Sequence, residues 1–133
     1  MTMPANESEG TPDTAVPPPT GLAVSVRNTD GSTAICTLAG DLDMETLAPA
    51  KQALDELVAA GVRTIVVDLG QVAFCDSSGL NLLLQARMSA EARGTRLLLA
   101  ACAPSVQRVL ELTGADAVFS LHPDAATALA AGR

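Results

Sequence analysis

Thr64-Ile65-Val66-Val67-Asp68-Leu69 leads, a short span later, into Asp76-Ser77-Ser78-Gly79-Leu80. The first stretch is almost wholly aliphatic and β-branched, which predicts a mostly buried strand. Leu80, Leu83, Leu84 and Met88 then recur at helical spacing. The junction therefore displays a carboxylate and two hydroxyls at a helix N-terminus, where backbone N–H groups lack intrahelical partners. Such a terminus favours negative charge and can take a phosphate. A serine placed there can act as a switch. The same four residues can equally be a plain helix cap.

Working outward toward the N-terminus, Leu22, Val24 and Val26 alternate as a strand. Asn28-Thr29-Asp30-Gly31 supplies turn chemistry, and Thr33 to Ala39 reads as the hairpin partner. Gly40-Asp41-Leu42-Asp43 is expected to leave the sheet, with Asp43 capping the next helix. Met44, Leu47, Leu54, Leu57 and Val58 give that helix an apolar stripe. Pro49 falls in its first turns, where a missing N–H costs least, and Gly61 ends it.

Beyond the junction, the helix is expected to run to about Ala92 and end at Gly94. Arg96 to Ala101 reads as another buried strand. Pro104 opens a short helix carrying Val106, Val109 and Leu110, which Gly114 closes. Val118 to Leu121 reads as a short strand, and Pro123 starts an alanine-rich helix that includes Leu129. The order is ββαβαβαβα. Right-handed strand-helix-strand units make part of the sheet parallel, and the opening hairpin adds an antiparallel part. The fold class is α/β, a single domain over residues 21–133. Residues 1–20 hold Glu7, Glu9, Asp13, Pro12, Pro17, Pro18 and Pro19 with few large apolar groups, so they are expected to form a disordered tail.

The 133 residues suffice for a core built without disulfides or metal. Hydrophobic residues make up 48% but aromatics only 2%, so Ala, Val, Leu and Ile must fill that core. Few aromatics leave no platform for stacking bases. A net charge of −7 further excludes a phosphate-backbone binder, which needs Lys and Arg. Cys36, Cys75 and Cys102 lie far apart, odd in number, in apolar contexts that suit buried thiols in a reducing compartment. No signal peptide is visible, and the apolar run Leu97 to Ala103 is too short to span a bilayer. The chain is expected to be cytoplasmic, with no cofactor, no metal and no direct membrane contact.

Catalysis finds little support. A nucleophile elbow requires Gly two positions before the Ser, but Cys75 precedes Ser77 and Asp76 precedes Ser78 at that distance. His122 is the sole histidine and lies beside Pro123, a place for a solvated or capping residue. No lysine follows a Gly-rich loop in the P-loop pattern. Cys75 has no adjacent cation to lower its pKa, which favours a structural thiol. Asp41 and Asp43 read as loop-lining and capping carboxylates before they read as a catalytic pair.

Gly40-Asp41-Leu42-Asp43 running into Thr46 and Pro49, then Val67-Asp68-Leu69, then Phe74-Cys75-Asp76-Ser77-Ser78-Gly79-Leu80, resembles the STAS domain, most of all the free-standing bacterial anti-sigma factor antagonists. The resemblance covers about residues 20–130, and Pro104, Val106, Val109, Leu110 and Gly114 also fit it. It departs mildly at Asp41, where many relatives carry Glu.

The resemblance implies a binding switch and no enzyme. Ser77 corresponds to the serine that an anti-sigma factor serine kinase phosphorylates in the family. The unphosphorylated antagonist binds that kinase and frees the sigma factor; phosphorylation blocks the binding, and a PP2C-type phosphatase restores it. The implied partner-binding set is Asp41, Asp43, Asp76, Ser77, Ser78, Gly79 and Leu80, with Gly79 letting a partner's backbone approach. The alternative that the resemblance leaves is a STAS subunit of a membrane transport complex, for lipid or anion, or of a signalling scaffold.

Overall fold

A computed structural model of the chain describes residues 21–29 and 32–131. The expected tail, the tip of the expected hairpin turn at Asp30-Gly31, and residues 132–133 lie outside the described residues. The elements are β1 (Leu22–Asn28), β2 (Thr33–Leu42), α1 (Ala48–Ala59), β3 (Thr64–Cys75), α2 (Ser77–Ala92), β4 (Arg96–Ala100), α3 (Pro104–Thr113), β5 (Ser120–His122) and α4 (Ala125–Ala131). A 3-10 turn at Ala115–Ala117 joins α3 to β5. Five strands form one sheet in the order β1-β2-β3-β4-β5. β1 pairs antiparallel with β2, and the remaining pairs are parallel. The expected α/β class and mixed sheet are therefore observed.

The strands alternate as a two-sided sheet demands. Ile65, Val67 and Leu69 of β3 enter the main core, together with Leu54 of α1, Leu83 of α2 and Leu110 of α3. Val66 points to the opposite face, where it joins Ile35, Leu98, Ala100 and Ala128 of α4. Three helices thus cover one face, and the short α4 covers the other.

Two strands run further than the sequence pattern suggests. β2 does not leave the sheet at Gly40; it pairs with β3 as far as Leu42 opposite Cys75. β3 likewise continues past Leu69 to Cys75. Polar and glycine residues break the alternation in both strands, and two register shifts, between Thr37 and Ala39 and between Gly40 and Asp41, absorb the breaks. Gly40 sits at φ +117°, and a Cβ there would overlap the Gly21 carbonyl oxygen. That combination of positive φ and close approach admits only glycine without strain.

Other boundaries also move. α1 begins at Ala48 after Leu47, with no side-chain cap, so Asp43 does not cap it. Met44 and Met88 are exposed and take no part in the apolar stripes assigned to them. β5 starts at Ser120, because Val118 completes the 3-10 turn and Phe119 buries in the core. Asp124, one residue after Pro123, receives the Thr127 N–H at 2.7 Å and opens α4.

Candidate functional site

The C-terminal ends of β2 and β3 and the N-terminus of α2 meet at one pole of the sheet. Parallel pairing sets Asp41 opposite Phe74 and Leu42 opposite Cys75. The Asp76 N–H then donates to the Leu42 carbonyl at 3.4 Å. The Gly40–Asp43 and Asp76–Leu80 segments, far apart in sequence, are neighbours for this reason.

Asp76 is the N-cap of α2, with extended backbone. Its Oδ1 accepts the N–H groups of Ser78 at 2.9 Å and Gly79 at 3.1 Å. This arrangement satisfies two of the orphan donors of the helix end. It also revises an expectation: those amides are not free for a phosphate, because the Asp76 carboxylate already holds them.

The two serines differ. Ser77 is exposed, and its hydroxyl has no hydrogen-bond partner among the described residues. Ser78 is half-buried and lines a cleft between α1 and α2 with Leu47, Lys51 and Leu82. Gly79 and Leu80 turn inward and are buried. A Cβ on Gly79 would stand 2.5 Å from the Leu42 carbonyl oxygen and 3.0 Å from the Cys75 sulfur. Gly79 therefore lets α2 close onto the chain's own β2, and the close approach expected of a partner backbone is made internally.

Asp43 and Thr46 build the turn that follows β2. The Asp43 Oδ1 accepts the Glu45 N–H at 3.0 Å. The Thr46 hydroxyl donates to the Asp41 carbonyl at 2.6 Å and accepts the Asp43 N–H at 3.1 Å. Sequence reasoning gave Asp43 to the helix; its bonds are to this turn, as short polar side chains commonly make. The Asp41 carboxylate, half-buried, has no hydrogen bond or ion pair to a described residue. Around this polar centre stand two apolar side chains that the sequence reading did not assign to it, Met44 at 75% and Phe74 at 49% exposure. The available signal was an apolar residue directly beside each motif.

The surrounding chemistry is that of a contact surface. Burial first, and then the Asp76 charge, push the Cys75 thiol up to about 11, so it stays protonated at neutral pH. The expected structural role of this cysteine fits its burial. His122 lies on β5, two strands from β3, with its Nε2 2.9 Å from the Ser120 hydroxyl. Among the described residues, no helix is long and apolar enough to cross a membrane.

A family model described as Mlab, STAS domain, matches residues 25–123. The anti-sigma-F factor antagonist RsfB of Mycobacterium tuberculosis is 30% identical over 118 residues, covering 86% of this chain and 95% of that protein. The crystal structure of an anti-sigma factor antagonist from Mycobacterium paratuberculosis has a TM-score of 0.78 and 32% identity, over 87% of this chain and 97% of that one. The unphosphorylated form of the anti-sigma factor antagonist SpoIIAA shares the fold, with a TM-score of 0.70 and 23% identity over 80% of this chain and 93% of that one.

Proposed function

The chain belongs to the STAS domain family, and we propose that it is an anti-sigma factor antagonist switched by phosphorylation of Ser77. The observation that carries this reading is the contrast at the head of α2. Ser77 offers a free, exposed hydroxyl, while Ser78 is half-buried against α1 and Gly79 is sealed onto Leu42.

In this reading the unphosphorylated protein binds an anti-sigma factor that is a serine kinase, and the sigma factor is released. Met44 and Phe74 supply apolar contact around the serine. Aromatic residues and Met are the types enriched where protein interfaces bury surface. The kinase transfers the γ-phosphoryl group of ATP to the Ser77 oxygen, ADP leaves and the hydroxyl proton is lost. The product carries about −1.5 to −2 charge at neutral pH. Because Asp76 occupies the Ser78 and Gly79 amides, that charge is directed outward, beside Asp41, Asp43 and Asp76. A partner surface fitted to a small hydroxyl then meets excess volume and charge. Each ~1.4 kcal/mol of such mismatch lowers affinity tenfold. A phosphatase of the PP2C type resets the protein, which performs no catalysis itself and works in the cytoplasm.

The test pairs the full chain with the anti-sigma factor kinase of the same organism and ATP. The expected results are one phosphoryl group on Ser77 by peptide mass spectrometry, binding retained by Ser77→Ala and binding lost in Ser77→Asp. Equal binding by both variants, or a phosphate found on Ser78 alone, would overturn the proposal.

A further inference from the structure

The outer side of α2 carries apolar surface that its own packing does not use. Ser77, Asn81, Leu84 and Met88 follow one another at helical spacing, so they lie along one side of the helix. Ser78, Leu82, Gln85 and Ser89 line the cleft against α1, so the Ser77–Met88 side is turned away from α1, toward α3. On α3, Ser105, Val109 and Leu112 also share a side. The Ser105 hydroxyl donates to the Val72 carbonyl of β3 at 2.9 Å, which turns that side toward α2. α2 packs less closely against α3 than against α1.

These two sides bound a trench. Leu84 and Val109, partly buried on the core, form its floor. Met88 at 63% and Leu112 at 79% exposure form its rims, and Val118 at 44% marks its foot. The foot opens into a cleft of about 370 Å³ lined by Arg87, Glu91, Arg96 and Val118. Ser77 stands at the head. The charges change sign along the trench: Asp41, Asp43 and Asp76 at the head, Arg87 and Arg96 at the foot.

We propose that this trench docks an amphipathic helix of the same anti-sigma factor that engages Ser77, with the helix's basic end at the head and its acidic end at the foot. The inference rests on the Ser77 reading and adds a second contact region to it. Continuity and charge choose the occupant. The trench begins at Ser77 itself, whereas a second copy seated there would cover the serine. A stable interface requires about 800 Å² from each partner, more than one serine and its turn supply. The 16 residues of α2 extend the surface by about 24 Å.

The experiment measures the affinity of the full chain for the anti-sigma factor kinase of its own organism by calorimetry. The variants are Met88→Glu, Leu112→Glu and Met88→Leu, with folding checked by circular dichroism and a thermal melt. Both Glu variants are expected to weaken binding at least tenfold, and Met88→Leu to keep it. Kinase present in saturating excess should still phosphorylate Ser77 in the Glu variants, which separates docking from the switch. Leu112 is the more exposed of the two, so its variant carries the test if Met88→Glu melts early. Wild-type affinity in both Glu variants, with binding still lost in Ser77→Asp, would overturn the trench and leave the Ser77 reading standing. A change in sedimentation of the chain alone, without a change in kinase affinity, would instead assign the trench to a second copy and overturn the proposal. No kinase binding by the wild type would overturn both.

Discussion

Gly79 and Leu42 touch so closely that no side chain fits between them: a Cβ on Gly79 would lie 2.5 Å from the Leu42 carbonyl oxygen. That carbonyl also receives the Asp76 N–H, so one atom of β2 anchors the cap and the first turn of α2. The position of Ser77 in space follows from this contact.

Gly79→Ala tests the anchor. In an ordinary helix this change gains up to about 1 kcal/mol from propensity. Here the clash with a backbone oxygen dominates, and the variant is expected to lose about 1–3 kcal/mol, the usual cost of overpacking. Urea denaturation with an unchanged m-value would show it. A more stable variant would mean that α2 shifts freely and that the anchor is not rigid.

Asp76 and Ser77 should separate cleanly into structure and switch. Asp76→Ala removes the acceptor of two backbone N–H groups and is expected to cost about 1 kcal/mol. Ser77→Ala deletes a hydroxyl with no intramolecular partner and should stay within about 0.5 kcal/mol of wild type. Thermal unfolding of the two variants side by side checks this. A large loss in Ser77→Ala would reveal a structural role for the hydroxyl.

Thr46 holds the turn that presents Asp41 and Asp43. Thr46→Val keeps the shape but removes a donor to the Asp41 carbonyl and an acceptor for the Asp43 N–H. A loss of about 1–2 kcal/mol is expected, from two hydrogen bonds of ordinary worth. Hydrogen exchange should show faster opening of residues 41–46 with the rest of the sheet protected. Unchanged protection there would show that the turn is held by its backbone alone.

Two buried thiols predict weakness in alkali. Burial raises Cys36 and Cys75 to about 11 each. A thiol in the unfolded chain loses its proton near pH 9, so between about 9 and 11 the unfolded state holds fewer protons than the native state. The sign is therefore destabilising as pH rises, with a slope of up to about 1.4 kcal/mol per pH unit for each thiol. Below pH 9 neither form ionises and the slope vanishes. Cys36→Ala should flatten the alkaline limb of a stability–pH curve by about half. An equally steep limb in that variant would assign the effect to other groups.

The parts legible in the sequence were those settled within a few residues. Asp76 capping a helix through Ser78 and Gly79 is a bond across three positions, and residue type with spacing predicts it. The strand at Thr64–Leu69, the apolar face of α2 through Leu80 and Leu83, and the αL stop at Gly114 were readable on the same ground. The order of strands and helices follows from those periods, and with it the mixed sheet.

Only the tertiary structure decided which side of each residue faces what. The run of β2 to Leu42 and of β3 to Cys75 depends on pairing across strands, because local alternation is broken at Gly40 and Gly70-Gln71 and is restored only by the partner's hydrogen bonds. The same pairing takes Asp43 away from α1, turns Gly79 inward onto Leu42, and leaves Met44, Phe74 and Met88 exposed. An apolar residue carries no mark of whether its own chain will cover it. That outcome is set by many weak contacts summed across distant segments, so the sequence by itself determined the switch-like serine and its cap, and the packed fold decided the surface around them.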